Sequence, residues 1–230
     1  ENHLLDSPFD FGKQAVLAIP TDIALPDDKG FLDAVVEHVR SAVRITNGHA
    51  FVLFTSFYAL DYVHRRLEAE LRDLGIRPLK QGEMTRTRLL NDFRTAPSSV
   101  LFATDSFWEG VDVAGEALQC VIVPKLPFRV PTEPIQEARA EAISAAGGDA
   151  FMDYAVPQAV IKFRQGLGRL IRRKTDRGAV LVLDRRIITK GYGRVFMESL
   201  PDMKMVRGPS RGVYAALDKF FKQEGEQNNE

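Results

Sequence analysis

The stretch Ala50-Phe51-Val52-Leu53-Phe54-Thr55-Ser56 is an uninterrupted apolar run that ends in two hydroxyl residues. An apolar run without alternation is typical of a strand covered on both faces. The apolar residues that follow recur at helical spacing up to Gly75, and they are Leu60, Val63, Leu67, Leu71 and Leu74. A buried strand that leads into an amphipathic helix is the repeating unit of a parallel α/β sheet.

The same alternation extends in both directions from this stretch. Further strands are predicted at residues 15–19, 76–79, 100–104, 118–123 and 179–183. Helices are predicted at residues 31–43, 60–74, 85–95, 132–146, 156–174, 190–199 and 212–222. We therefore predict an α/β fold in which helices flank a mainly parallel sheet in three layers. Residues 1–222 are expected to form one domain, and the polar residues 223–230 a disordered tail.

Composition excludes several classes of protein. The 230 residues carry a formal net charge of zero, so a nucleic-acid or membrane partner would need a local cluster of charge. A single cysteine, Cys120, rules out an internal disulfide and a metal or iron-sulfur site built from several thiolates. No apolar stretch approaches the roughly 20 residues that span a bilayer, and residues 1–10 do not resemble a signal peptide. We expect a cytoplasmic protein without a membrane partner.

The usual motifs of metal and acyl-transfer chemistry are missing from the sequence. The four histidines show no metal-ligand spacing, so no metal site is predicted. No G-x-S-x-G nucleophile motif occurs, and neither does the G-x-x-x-x-G-K-[ST] loop that holds a nucleoside triphosphate. The sequence also starts without a methionine, so we expect a domain of a longer protein.

The segment Gln165-Gly166-Leu167-Gly168-Arg169-Leu170-Ile171-Arg172 carries the strongest chemical signal. If it lies within one helix, a rotation of about 100° per residue brings Gln165, Arg169 and Arg172 to one side, opposite an apolar stripe. Arginine forks can clamp phosphate oxygens during phosphoryl transfer. Two glycines, each costing a helix about 1 kcal/mol, indicate that a backbone or ligand approaches closely. The alternative is an ordinary solvated helix face.

Two further segments follow predicted strands. Thr104-Asp105-Ser106-Phe107-Trp108-Glu109-Gly110-Val111-Asp112 could bind a ribose through its carboxylates and a backbone phosphate through Thr104, or it could be a polar turn anchored by Trp108. Thr55 and Ser56 could cap the next helix or bind a phosphate at its N-terminus.

In this order and spacing, the three segments resemble motifs IV, V and VI of superfamily 2 helicases. The forms F-W-E-G-V-D and Q-x-x-G-R-x-I-R are similar to those of the DinG-like branch, which is related to the XPD helicases. The segments Ser7-Pro8-Phe9-Asp10, Leu126-Pro127-Phe128 and Leu183-Asp184-Arg185-Arg186 also resemble that branch.

The resemblance implies a RecA-like (P-loop NTPase-like) domain, the second motor lobe of an ATP-dependent DNA helicase. ATP with magnesium would lie between this lobe and a first lobe, absent from this chain, that supplies the phosphate loop. Any iron-sulfur cluster would also belong to that first lobe. The implied partners are therefore single-stranded DNA and the N-terminal lobe, and the chain alone is expected to be inactive as an ATPase.

The resemblance also implies roles for individual residues. The implied catalytic residues, with the arginines at the γ-phosphate and the glutamine coupling that site to DNA, are Arg169, Arg172 and Gln165. The implied nucleotide-binding residues are Glu109, Gly110, Asp112 and Gly168. The implied DNA-binding residues are Thr55, Ser56, Thr104 and Asp105.

Two other functions remain open at this point. The chain could be a noncatalytic nucleic-acid-binding domain that keeps a helicase-like fold. It could also be a self-contained α/β enzyme, such as a nucleotide-sugar transferase, that uses Glu109 and Arg169 on a small substrate.

Overall fold

The computed structural model describes residues 7–104, 107, 117–129, 134–168 and 170–222. Seven strands lie within these ranges: β1 (Ala15–Pro20), β2 (Ala50–Leu53), β3 (Arg77–Lys80), β4 (Ser99–Ala103), β5 (Cys120–Val123), β6 (Gly178–Val182) and β7 (Lys204–Gly208). They form one sheet in the order β3-β4-β2-β5-β6-β1-β7. Every neighbouring pair is parallel. The predicted parallel sheet is confirmed.

Helices connect the strands within the same described ranges. They are α1 (Phe11–Gln14), α2 (Phe31–Ile45), α3 (Phe57–Asp73), α4 (Arg86–Thr95), α5 (Pro134–Ala145), α6 (Val156–Leu167), α7 (Arg186–Thr189), α8 (Gly193–Glu198) and α9 (Ser210–Lys222). A π-helical segment, Phe151–Ala155, leads directly into α6.

Side chains of successive strand residues point to opposite sides of the sheet, so each buried strand contributes apolar residues to both faces. Helices cover both faces. Helices α2, α3 and α9 pack on one face, where they meet Val16, Val52 and Phe102. Helices α4, α6, α7 and α8 pack on the other face, where Phe93 of α4 lies against Phe51 with ring centroids 4.6 Å apart. The expected three-layer RecA-like arrangement of sheet and helices is therefore confirmed.

The end of α6 differs from the prediction. A helix was expected over residues 156–174, but α6 ends at Leu167, with Gly168 as its C-cap. The N–H groups of Arg172 and Arg173 donate to the carboxylate of Asp176. The prediction that residues 165–172 share one helix is wrong, because this side-chain acceptor replaces the helical one.

Strand β7 was not predicted at all. It lies at an edge of the sheet and pairs with β1 from Val16↔Lys204 to Pro20↔Gly208. Its residues are only half-buried or exposed, so it lacks the apolar run that marks the inner strands. The polar residues 223–230 lie outside the described residues. No helix in the described part of the chain is long and apolar enough to span a membrane.

Candidate nucleotide and nucleic-acid sites

The segment between α6 and β6, residues 168–177, is held by a glutamine from another part of the chain. Gln14 is the last residue of α1 and is only 7% exposed. Its Nε2 donates to the carbonyl oxygens of Arg173 at 2.8 Å, Lys174 at 3.1 Å and Asp176 at 2.9 Å. Its Oε1 accepts the N–H of Asp10 at 2.9 Å. One side chain therefore fixes the path of the segment from Arg173 to Asp176.

Asp176 completes this support from within the segment. Its buried carboxylate accepts the N–H groups of Arg172 and Arg173 through Oδ2, each at 2.8 Å. Charge-assisted hydrogen bonds of this kind are stronger than those between neutral groups. The backbone of Arg172 is therefore tied down although its side chain is exposed.

Apolar packing holds the other side of the segment. Leu170 and Ile171 are buried in the core. Leu170 lies directly against Gly178, where an added Cβ would come within 2.2 Å of Leu170 Cγ, so Gly178 leaves the space that Leu170 fills. With the apolar side chains inside, Gln165, Gly168 and Arg172 remain on the exposed side of the helix end.

The predicted nucleic-acid residues lie at the carboxyl ends of the strands, opposite the end where Arg172 lies. Ser56 is the N-cap of α3, and its Oγ accepts the N–H of Ala59 at 3.2 Å. Thr104 follows β4 and is buried, and both its N–H and its hydroxyl lie near Oε1 of Gln81, at 2.6 and 3.1 Å. Because that hydroxyl donates to Gln81, it is left with lone pairs and no proton for a phosphate oxygen.

The sequence reasoning gave no role to Gln14, Gln81 or Asp176. A signal existed for Gln81, a polar residue two positions after a predicted strand, where parallel sheets place their ligand-binding loops. No such signal marked Gln14, because it lies about 160 residues from the carbonyl groups that it binds.

A cleft of about 610 Å³ opens beside Thr55 and Ser56. Its polar lining includes the basic side chains Lys125, Arg129 and Arg186. Its aromatic lining consists of Phe31, Phe54, Tyr58, Phe128, Phe151 and Tyr192. Tyr58 is 71% exposed at the mouth, while Phe128 stacks on Phe151 with ring centroids 5.5 Å apart. Cationic and aromatic groups in one groove are typical of surfaces that bind single-stranded nucleic acid.

Asp184 lies behind Arg186, one of the residues that line this cleft. It is 0% exposed, and its Oδ2 accepts the N–H of Leu126 at 3.0 Å. Its carboxylate also accepts hydrogen bonds from Nε and Nη2 of Arg186, the latter at 2.7 Å. These contacts join the carboxyl ends of β5 and β6. The Asp184 carboxylate raises the pKa of Arg186 above its ordinary value, mainly through these hydrogen bonds.

The structure thus separates the predicted site residues into two groups. Gln165, Gly168 and Arg172 lie toward the amino ends of β1 and β6, whereas Thr55, Ser56 and Thr104 lie at the carboxyl ends of β2 and β4. A five-residue strand separates such edges by roughly 16 Å at about 3.3 Å per residue.

Several predicted residues lie outside the described residues. They are Asp105, Glu109, Gly110, Asp112 and Arg169. Within the described ranges, no group of three His, Cys, Asp or Glu side chains is placed to hold a metal ion.

A three-layer domain with an all-parallel sheet and an arginine-bearing segment before β6 defines the class as a RecA-like α/β domain. The family described as the helicase C-terminal domain matches residues 39–203. The ATP-dependent DNA helicase YoaA of Haemophilus influenzae is 40% identical over 217 residues, which cover 94% of this chain and 33% of that protein. The chain belongs to the helicase C-terminal domain family.

Other relatives agree on this family. The YoaA helicase of Escherichia coli K12 is 39% identical, over 93% of this chain and 33% of that protein. The protein named 3'-5' exonuclease DinG of Bacillus subtilis is 36% identical, over 86% of this chain and 22% of its own length. The chain spans about a third or less of these relatives.

Solved structures show the same fold. An XPD helicase superposes with a TM-score of 0.63 at 15% identity, over 84% of this chain and 35% of that chain. The C-terminal domain of the DEAD-box protein Dbp5 gives a TM-score of 0.55 at 17% identity, over 91% of this chain and 98% of that chain. The second superposition matches this chain to almost the whole of that isolated C-terminal domain.

Proposed function

We propose that this chain is the second motor lobe of a cytoplasmic ATP-dependent DNA helicase. It would bind ATP together with a first lobe and would form part of a track for single-stranded DNA. One observation carries the proposal: Arg172 lies on a rigidly held segment at one edge of the sheet, while a basic and aromatic cleft lies at the other. A motor that couples nucleotide hydrolysis to DNA movement needs both surfaces on one body.

The nucleotide side of the proposal rests on arginine chemistry. Arg172 and Arg169 would approach the γ-phosphate and stabilise the charge that develops as the phosphoryl group leaves. Gln165 and Gly168 would lie beside them, and Glu109, Gly110 and Asp112 would contact the nucleotide from motif V. The support for Arg172 is that its backbone is fixed by Asp176 while the residue is exposed.

The DNA side rests on the cleft and its hydroxyl residues. Thr55, Ser56, Thr104 and Asp105 would lie along the DNA backbone, with Lys125 and Arg129 supplying positive charge. The N-terminus of α3, where Ser56 is the cap, adds the partial positive charge of a 17-residue helix. Because the Thr104 hydroxyl donates to Gln81, we assign Thr104 the role of shaping the loop rather than donating to phosphate.

The remaining functions belong to the first lobe. The phosphate loop, the magnesium ligands and any iron-sulfur cluster would reside there. We infer that the isolated chain does not hydrolyse ATP.

The arginine assignment is tested in the longer protein that carries this chain together with a phosphate-loop lobe. Arg172→Ala and Arg169→Ala should each lower DNA-stimulated ATP hydrolysis by about 10³-fold or more, as loss of an arginine finger does. Nucleotide affinity should change far less, because the finger acts mainly in the transition state. Arg194→Ala is a matched control, since Arg194 is an exposed arginine of α8 paired with Glu198.

Full turnover by Arg172→Ala would overturn the finger assignment and favour a noncatalytic nucleic-acid-binding domain. Turnover by the isolated chain would instead contradict the need for a first lobe and favour a self-contained enzyme.

A further inference from the structure

We propose that Gln14 is a positioning residue that holds Arg172 in the geometry required for ATP hydrolysis. The inference rests on the proposed function, because it assigns Gln14 a role through Arg172. Gln14 does not belong to any of the three helicase-like segments.

The orientation of the Gln14 amide is fixed by its surroundings. Three carbonyl oxygens face one end of the side chain and the Asp10 N–H faces the other. The amide NH₂ can donate and its oxygen can accept, so only one of the two flipped orientations satisfies these neighbours. In the other orientation the amide oxygen would face three carbonyl oxygens. Gln14 is therefore a donor directed at the segment that carries Arg172.

The donor acts on Arg172 through Asp176. Gln14 binds the backbone carbonyl of Asp176, and the Asp176 carboxylate binds the N–H of Arg172. This places two consecutive hydrogen bonds, each under 3 Å, between Gln14 and the backbone of Arg172. The segment has left the helix at Leu167, so these bonds replace the helical ladder as the support of its backbone.

Gln14 and Asp176 together form a clamp on the backbone of Arg172, and both residues are anchored in the sheet. Gln14 directly precedes β1, which pairs with β6 on one side and β7 on the other. Asp176 comes two residues before Gly178, the first residue of β6 and the pairing partner of Ala15. Since both ends start from neighbouring inner strands, the clamp fixes Arg172 relative to the rigid part of the domain. A displacement of 1 Å at such a group can lower a rate by about 100-fold.

Two substitutions of Gln14 separate donation from packing. Gln14→Met keeps a side chain of similar length without a charge and removes both donor and acceptor. Gln14→Glu keeps the acceptor for Asp10 but, when ionised, has no proton to donate to the carbonyl groups. If the buried carboxylate of Gln14→Glu prevents folding, Gln14→Met still gives the measurement.

The first measurement is amide hydrogen exchange in this chain, by NMR or mass spectrometry. Exchange at Arg172 and Arg173 should accelerate by about tenfold in both variants, because the segment loses its support. The second measurement is steady-state kinetics in the longer protein. There kcat for DNA-stimulated ATP hydrolysis should fall by about 10- to 100-fold, while KM for ATP changes by less than about threefold.

Two control variants distinguish positioning from a general loss of stability. Lys13→Ala changes the exposed neighbour of Gln14. Tyr214→Phe removes the hydroxyl that contacts His38 between α9 and α2, on the other face of the sheet. Tyr214→Phe should lower the melting temperature without accelerating exchange at Arg172 or lowering kcat.

The outcomes separate this inference from the proposed function. If Arg172→Ala abolishes turnover but the Gln14 variants keep wild-type kcat, the positioning role is wrong and the motor assignment stands. Unchanged exchange at Arg172 and Arg173 in both variants also overturns the role. If the variants accelerate exchange while Arg172→Ala keeps full turnover, the clamp exists but the proposed function fails, and the catalytic role of Gln14 fails with it.

Discussion

Asp184 and Arg186 form an ion pair in which the carboxylate is completely buried and receives two guanidinium nitrogens, the closer at 2.7 Å. The same carboxylate accepts the N–H of Leu126 at 3.0 Å. The pair therefore joins the loop after β5 to the loop after β6, and it holds Arg186 at the wall of the cleft. We therefore expect both the stability of the fold and the shape of the cleft to depend on this carboxylate.

Asp184→Ala should lower the free energy of unfolding by about 3–5 kcal/mol, because it leaves the partly buried Arg186 without its counter-charge. Asp184→Asn retains an acceptor for Leu126, so its cost should be smaller, about 1–3 kcal/mol. Urea unfolding followed by circular dichroism measures both.

Asp218→Ala is the matched control, since Asp218 forms an exposed pair with Lys222 on α9. Its cost should stay below about 1 kcal/mol. A cost for Asp184→Ala no larger than that of Asp218→Ala would show that the buried pair does not stabilise the fold.

A second prediction concerns acid stability. His64 of α3 is 1% exposed, and neither ring nitrogen has a hydrogen-bond partner within the described part of the chain. Burial lowers the pKa of His64 below its ordinary value of 6.5, although Glu68 and Glu83 partly oppose this effect. The unfolded chain therefore takes up a proton near pH 6.5 where the folded chain does not. The contribution of the uncharged His64 to the free energy of unfolding is fully present above pH 6.5. It is lost as the pH falls from 6.5 toward the folded-state pKa.

His64→Leu should remove this contribution, because leucine does not titrate. We expect a gain of about 1–2 kcal/mol at pH 7.5 from replacing an unsatisfied polar ring. The advantage over wild type should grow below pH 6.5, by at most about 1.4 kcal/mol per pH unit. Urea unfolding between pH 5 and 8 checks both effects.

Glu68→Gln serves as the comparison for His64→Leu, because it removes a carboxylate that raises the pKa of His64. The loss of stability should then extend to lower pH than in wild type. A stability curve for His64→Leu parallel to that of wild type below pH 6.5 would contradict the role of His64.

The inner strands could be predicted because the physics that forms them is local. Uninterrupted apolar runs such as residues 50–54 mark strands buried on both faces, and Gly75 follows the last helical turn of α3. The end of α6 could not be predicted, since Leu170 and Ile171 fit the period of a helix and are equally well buried in an irregular segment. The deciding groups are Asp176, whose carboxylate accepts the N–H groups of Arg172 and Arg173, and Gln14. The contacts of Gln14 lie about 160 residues away in the sequence and leave no periodic trace.

The candidate site was predictable to the same degree. Sequence order located Thr55 and Ser56 after a strand and Arg172 before one, and the structure has them there. In a parallel sheet this order already implies opposite ends of the strands, and the parallel pairing of β2, β5 and β6 shows it. The hydrogen bonds that Thr104 donates to Gln81 form because β3 and β4 are neighbours in the sheet. A helix separates these two strands in the sequence, so the contact could not be read from local pattern.

The last prediction separates the two functions considered for Ser56, helix capping and phosphate binding. Its Oγ accepts the N–H of Ala59, so capping is present in the structure. Ser56→Ala should cost about 1 kcal/mol of unfolding free energy, whereas Ser56→Asp should cost little, because aspartate is an equally good N-cap. The two variants thus differ in stability, and only Ser56→Asp adds a negative charge to the cleft.

If the cleft binds DNA, Ser56→Asp should weaken the binding of a fluorescent single-stranded oligonucleotide by about threefold to tenfold at low salt, and less at high salt, because like charges repel and salt screens them. Anisotropy titrations at about 50 and about 200 mM salt measure this difference. Ser41→Asp supplies the same charge on α2, at a residue that does not line the cleft, and should bind as wild type does. Equal affinities for Ser56→Asp and Ser41→Asp would leave Ser56 as a cap alone and would move the DNA track away from the N-terminus of α3.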